Sequence, residues 1–187
     1  MEVKVFSPNE FFKDELRSSW CQNIRTNGVK QHVPVLREAF NGKPAIQLIP
    51  TYSKTSGNEI DVSRFFVAAI PLTREWGTVD LHDCFNRMVV SLAINIESPN
   101  TCFINLELNS LIMDVEKSSN SFPLTELVEQ TSGWQRVVVP MMVFDVNNRD
   151  FSTYAIRLFK IVCVGWSPIM LSDIRMFETD FFNGKAE

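Results

Sequence analysis

Apolar and polar residues alternate along much of this chain. The alternation is strictest over residues 87–96, where every second residue is apolar: Met88, Val90, Leu92, Ile94 and Ile96. It returns over 102–109 with Ile104, Leu106 and Leu108. Successive side chains of a strand point to opposite faces, so a period of two predicts two strands that each bury one face.

Further apolar runs predict more strands. They cover residues 45–52, 64–72, 134–140, 154–164 and 169–177. Turn-rich loops separate them, and few helical periods lie between, a pattern typical of an all-β sandwich. We therefore expect one domain over 1–187, with the sandwich strands in 45–177.

The amino-terminal segment has a different pattern. Ser7 and Glu10 form a capping box around Pro8, and an apolar residue follows every four positions at Phe12, Leu16 and Trp20. This predicts a short helix over about 8–17. Glycine and proline breakers interrupt residues 21–44, so we expect this segment to be irregular.

Two strands carry polar residues on the face opposite the core. Over 87–96 these are Arg87, Ser91 and Asn95. Over 102–109 they are Asn105, Glu107 and Asn109, and Phe103 lies on the same face. If the two strands pair as a hairpin, one sheet carries a polar band. This band is either an ordinary solvated face or a platform for a hydroxyl-rich ligand, because amides and charged groups present paired donors and acceptors.

Composition excludes several classes of function. The net charge is -4, with 21% charged residues and no basic cluster, which argues against nucleic-acid binding. The chain contains no run of 18 apolar residues, so its sequence predicts no membrane helix and we expect no membrane partner. The first twenty residues lack a signal-peptide pattern. The location stays open: cytoplasmic if Met1 is the natural start, extracellular if this is a module of a longer secreted protein.

The cysteines and histidines show no metal-binding spacing. Cys21, Cys84, Cys102 and Cys163 are far apart, as are the two histidines, so a zinc site has no support. Buried free thiols and one or two disulfides both remain open.

Enzyme signatures are absent from the sequence. A glycosidase needs two facing carboxylates, and no acid is clearly placed opposite Glu107. His82 and Cys84 could share one face of an extended segment, but no nucleophile elbow, phosphate-binding loop or dinucleotide motif accompanies them. We expect no enzyme activity, with a glycoside hydrolase or lyase as the alternative.

Three segments resemble a known fold family. They are "TVDLHDCFNRMVVSLAINI", "GWQRVVVPMMVF" and "FSTYAIRLFKIVCVGWSPIMLSDIRMF", in this order over residues 78–177. In sequence they resemble the galactose-binding-like jelly-roll β-sandwich superfamily, and in particular its non-catalytic carbohydrate-binding modules. The resemblance implies a jelly-roll sandwich that binds polysaccharide or oligosaccharide and accompanies a glycan-degrading enzyme. It marks Trp134 as a packing residue of the fold.

The resemblance also implies a binding surface of polar and aromatic side chains. Stacking is assigned to Trp76 and Tyr52, and hydroxyl contacts to Arg87, Asn95, Asn105 and Glu107, followed by Arg136 and Lys160. No cofactor is required. Many such modules hold a structural calcium, but this chain has the single acid Asp173 where they have two adjacent acids. The alternative function is a protein-interaction or assembly module on the same fold.

Overall fold

The computed structural model describes residues 25–27, 35–49, 65–72, 77–129, 131, 133–144, 151–165 and 167–178. The amino-terminal helix expected over 8–17 lies outside these residues. Among the described residues, no helix is long and apolar enough to cross a bilayer.

The described residues form eleven β-strands linked by short 3₁₀ turns. In chain order they are β1 Arg25–Asn27, β2 Val35–Phe40, β3 Lys43–Leu48, β4 Phe65–Pro71, β5 Met88–Ile96, β6 Cys102–Ile112, β7 Val115–Ser118, β8 Phe122–Pro123, β9 Trp134–Pro140, β10 Ile156–Gly165 and β11 Ile169–Glu178. The predicted all-β architecture is confirmed, and the strand expected over 134–140 has the bounds of β9.

The strands assemble into two antiparallel sheets. Sheet I has the order β1-β4-β10-β6-β7, with β8 also paired to β6. Sheet II has the order β2-β3-β11-β5-β9. We use "sheet I face" and "sheet II face" for the two surfaces that point away from the sandwich interior.

The core lies between the sheets and follows the alternation read from the sequence. The apolar positions of β5 and β6 are almost inaccessible, with Leu92, Ile94, Ile104 and Leu106 each 0% exposed. They join residues of β10 and β11 in one continuous cluster. Burial of apolar side chains is the main favourable term in folding, so this pattern fixes which residues face outward.

The hairpin expected between 87–96 and 102–109 does not form. β5 pairs with β11 and β9 in sheet II, whereas β6 pairs with β10 and β7 in sheet I. The connection is an arch that crosses from one sheet to the other. A second arch connects β10 in sheet I to β11 in sheet II. The backbone amides of the first arch bond to it: Glu97 N donates to Pro168 O at 3.2 Å, and Ser98 N donates to Ser167 Oγ at 2.7 Å.

Gly165 allows the two arches to approach closely. Its φ of 147° is one that other residues rarely adopt, and it pairs with Cys102 on β6. A Cβ at this position would lie 2.2 Å from the carbonyl oxygen of Thr101 and 2.5 Å from the Cα of Cys102. Only glycine fits this backbone contact.

The expectation that residues 21–44 are irregular is wrong for Arg25–Asn27, which forms β1, and for the segment Val35–Phe40. This segment forms β2, which pairs with β3 through a two-residue turn at Asn41 and Gly42. Both turn residues have positive φ, 47° and 73°. An Asn-Gly pair is the preferred sequence for such a hairpin turn, because these residues tolerate the left-handed conformation.

Candidate functional site

The sheet I face presents a line of side chains along β6. The outward positions are Phe103, Asn105, Glu107 and Asn109, and their neighbours on β10 are Val164, Val162, Lys160 and Leu158. At about 3.4 Å per residue, the line from Phe103 to Asn109 is roughly 20 Å long. The structure thus brings together Asn105, Glu107 and Lys160, three of the residues predicted from the sequence.

An ion pair lies at the centre of this line. Lys160 Nζ is 2.7 Å from Glu107 Oε2, and the side chains are 22% and 17% exposed. Partial burial reduces screening by water and holds both side chains in place. The charged groups are therefore fixed in position but still within reach of a ligand.

Hydrogen bonds extend the ion pair toward β7. Lys160 Nζ donates to Ser118 Oγ at 3.4 Å, and Ser118 Oγ donates to Asn109 Oδ1 at 3.2 Å. Together with Glu107 these residues form a connected set of donors and acceptors. Asn109 is only 5% exposed, so it supports Ser118 and Lys160 from below, while Glu107 and Lys160 can bond to the edge hydroxyls of a sugar ring.

Phe103 lies at the other end of the line. Its side chain is 72% exposed, and Val164 beside it is 42% exposed. An exposed aromatic ring is a flat apolar partner for the C–H face of a sugar. Phe103 was read from the sequence as an outward residue but not as a stacking candidate; its parity on β6 was the available signal.

The sheet II face holds Asn95 and Arg136, so it separates them from Asn105, Glu107 and Lys160. Asn95 is opposite Trp134 in the pairing of β5 with β9. Trp134 is half-buried and points outward, with its ring centroid 5.2 Å from that of Phe40. Trp134 packs as expected, but its partner is Phe40 on the outer surface and not the core between the sheets.

Phe40 covers part of the sheet II face. β2 and β9 are the two edge strands, about 19 Å apart in a flat five-stranded sheet. Yet the Phe40 ring also lies 5.2 Å from the guanidinium of Arg136. The end of the β2–β3 hairpin therefore lies over this face, where the small residues Ala45, Ala93 and Ser172 are each 0% exposed.

Arg136 is engaged by a buried carboxylate. It donates to Asp173 Oδ2, to the Asp173 carbonyl at 3.4 Å and to Ser91 Oγ at 3.1 Å. Arg175 Nε donates to Asp173 Oδ1 at 2.8 Å. Both oxygens of Asp173, which is 2% exposed, face guanidinium groups, and this arrangement does not fit a calcium ligand.

No group of three metal-ligating side chains occurs among the residues that the structure describes. A structural calcium elsewhere stays a prediction from the resemblance.

Arg87, a further candidate from the sequence, lies away from the sheet I face. Arg87 precedes β5 at the end opposite Asn95, where its Nε donates to Glu178 Oε1 at 2.6 Å. Tyr52 and Trp76 lie outside the described residues. Tyr154 is 59% exposed and stacks on His82 with ring centroids 4.0 Å apart.

His82 and Cys84 do not contact each other as a base and a nucleophile would. His82 Nδ1 lies 3.0 Å from Thr153 Oγ1. Cys84 Sγ donates to Leu81 O and faces Met88 Sδ at 3.4 Å. Burial raises the pKa of the Cys84 thiol, which disfavours the reactive thiolate.

Solved structures with the same fold include carbohydrate-binding modules. A family 30 carbohydrate-binding module has a TM-score of 0.65 at 18% identity, covering 82% of this chain and 87% of that one. The family 30 module of a cellulosomal cellulase of Clostridium thermocellum has a TM-score of 0.66 at 17% identity, covering 83% and 87%.

A second family of modules also matches. The family 11 module from Clostridium thermocellum, in complex with a β-1,3-1,4-mixed-linked tetrasaccharide, has a TM-score of 0.53 at 11% identity over 84% of this chain and 89% of that one. No family model and no curated protein sequence matches the chain. The fold is thus a jelly-roll β-sandwich, the fold that these carbohydrate-binding modules share.

Proposed function

We propose that this chain is a non-catalytic carbohydrate-binding module that binds a polysaccharide or oligosaccharide on the sheet I face. The observation that carries the proposal is the partly buried Glu107–Lys160 pair, which lies on the same face as the exposed ring of Phe103. The fold supports it, since the structures that share it include modules named for carbohydrate binding.

The three predicted polar residues have separate roles in this proposal. Glu107 accepts hydrogen bonds from sugar hydroxyls, Lys160 donates to them, and Asn105 can do both. Phe103 stacks on a sugar ring at the end of the line. The accessible part of the line, from Phe103 to Glu107, is about 14 Å long and matches an elongated ligand of a few sugar units.

The binding is expected to be weak. An open sheet face excludes little water, so dissociation constants should be micromolar to millimolar, or about 4–8 kcal/mol of binding free energy. Weak binding suits a module that keeps an appended or partner enzyme near an insoluble substrate, which is the role we propose.

The test is a glycan array followed by affinity gel electrophoresis. The panel should include mixed-linked β-1,3-1,4-glucan, the ligand type of the family 11 structure. We expect retardation by at least one polysaccharide, lost in Phe103→Ala and retained in Phe177→Ala. Phe177 is a matched control because it is an outward phenylalanine on sheet II, 42% exposed.

Each outcome of this test is informative. Equal loss in both variants would indicate damage to the fold, which a thermal melt detects. Unchanged binding by Phe103→Ala and Glu107→Gln would move the site away from sheet I. Silence across a broad panel would contradict carbohydrate binding and favour the protein-interaction alternative.

A further inference from the structure

Two cysteines lie on adjacent strands and point into the sandwich, beneath the candidate site. Cys102 begins β6 and Cys163 lies near the end of β10, the strand paired with it. Cys102 is opposite Gly165, and Cys163 is opposite Ile104. The two cysteines are therefore diagonal neighbours on one face, and both are buried, 5% and 0% exposed.

The strands are unusually close at this point. A Cβ on Gly165 would be 2.5 Å from the Cα of Cys102. Since a Cα–Cβ bond is about 1.5 Å, the two Cα atoms are within about 4 Å, less than the roughly 4.5–5.5 Å of ordinary antiparallel pairs. This approach brings Cys102 close to β10, the strand that carries Cys163.

Each thiol shifts the pKa of the other. Hydrogen bonding toward Cys163 lowers the pKa of Cys102, and hydrogen bonding toward Cys102 together with burial raises the pKa of Cys163. Cys102 Sγ also donates to the carbonyl oxygen of Pro99 at 3.9 Å. Cys84, the other cysteine in the described residues, bonds instead to Leu81 and Met88.

We propose that Cys102 and Cys163 form a reversible disulfide that links β6 to β10. Two S–H bonds break and one S–S bond forms. The two electrons and two protons pass to a low-molecular-weight disulfide, which becomes two thiols. Because both sulfurs are buried, the exchange takes place during folding or when this strand end opens.

The link would stabilise the strands that carry the candidate site. β6 supplies Glu107 and β10 supplies Lys160, so a covalent bond between these strands limits their separation. A disulfide also restricts the unfolded chain across the long segment from 102 to 163. The oxidised form should melt about 5–10 °C above the reduced form.

The experiment uses the full chain with Cys21→Ser and Cys84→Ser, so that only the proposed pair remains. The protein is refolded with oxidised glutathione, denatured without reductant and treated with an alkylating agent. We expect neither thiol to be alkylated, a mass lower by two hydrogen atoms and a linked peptide containing both cysteines. Reduction should restore two reactive thiols.

The matched control carries Cys102→Ser in addition to Cys21→Ser and Cys84→Ser, so it keeps Cys163 alone and cannot gain an internal link. If a variant does not fold, peptide mapping of the oxidised wild-type chain gives the same answer. Two alkylated thiols in a cooperatively folded chain, or only mixed disulfides with glutathione, would overturn the proposal.

Discussion

Lys160 and Glu107 lie opposite each other on neighbouring strands of sheet I, with 2.7 Å between Nζ and Oε2. The pair is less than a quarter exposed, so it should contribute more than a surface ion pair. We expect a double-mutant cycle of Glu107→Gln and Lys160→Met, measured by urea unfolding, to give a coupling energy of about 1 kcal/mol. A coupling near zero would show that the two charges act independently.

Asp173 should be important for stability although it lies on the outer side of sheet II. Its buried carboxylate accepts from Arg136 and Arg175, and hydrogen bonds to charged groups contribute about 1.5–3 kcal/mol. Asp173→Asn keeps the size of the side chain, and asparagine tolerates the φ of 45° at this position. We expect this substitution to lower the free energy of unfolding by about 2–3 kcal/mol, which measures the loss of the carboxylate charge.

Asp173→Ala should cost about 1 kcal/mol more than Asp173→Asn, because alanine fits this backbone poorly. The control is Glu178→Gln, which breaks an exposed ion pair with Arg87 and should change stability by less than about 1 kcal/mol. Equal effects of Asp173→Asn and Glu178→Gln in chemical unfolding would contradict this account.

Two glycines should respond differently to alanine. Gly165→Ala places a methyl group against the backbone of Thr101 and Cys102, so we expect a loss of about 3 kcal/mol. Gly42 also has positive φ, but a Cβ there meets no atom within 4 Å, so Gly42→Ala should cost about 1 kcal/mol. Unfolding midpoints in urea compare the two, and similar losses would show that the close contact at Gly165 has relaxed.

Cys84 should make stability depend on alkaline pH. Burial, with a smaller effect of Glu178, raises its thiol pKa, so the folded state favours the protonated form. This stabilisation is fully present below the unfolded pKa near 9 and is lost as pH rises toward the folded value.

The free-energy difference between wild type and Cys84→Ala should therefore shrink between pH 8 and pH 10 in urea titrations. A constant difference would mean that the thiol does not ionise on unfolding. In the folded wild type at pH 8, Cys84 should also react with an alkylating agent at least tenfold more slowly than in urea.

The sequence predicted much of the fold because period-two alternation reports burial directly. The inward positions of β5 and β6 were assigned correctly, and so were the outward positions of Asn105 and Glu107. Pairing was not predictable in the same way, because a short turn after Ile96 is compatible with a hairpin or with an arch. The arch forms where Glu97 and Ser98 bond to residues 167 and 168.

The candidate site was predictable only in part for the same reason. Lys160 was a secondary candidate in the sequence, and its contact with Glu107 depends on the pairing of β6 with β10. The grouping of Asn95 and Arg87 with Glu107 was wrong. Asn95 lies on β5 and Arg87 directly precedes that strand, which belongs to sheet II, whereas Glu107 lies on β6 in sheet I. The contact of Phe40 with Trp134 joins residues almost a hundred positions apart, which no local pattern encodes.

The arch between β5 and β6 has a consequence for antibodies. Residues 88–96 and 102–112 are close in sequence, yet their outward side chains point to opposite sides of the protein. A peptide spanning both strands would therefore raise antibodies to a surface that the native protein does not possess. Antibodies raised against the folded domain could instead occupy both sides at once, and one that competes with sugar should leave the other side free for detection.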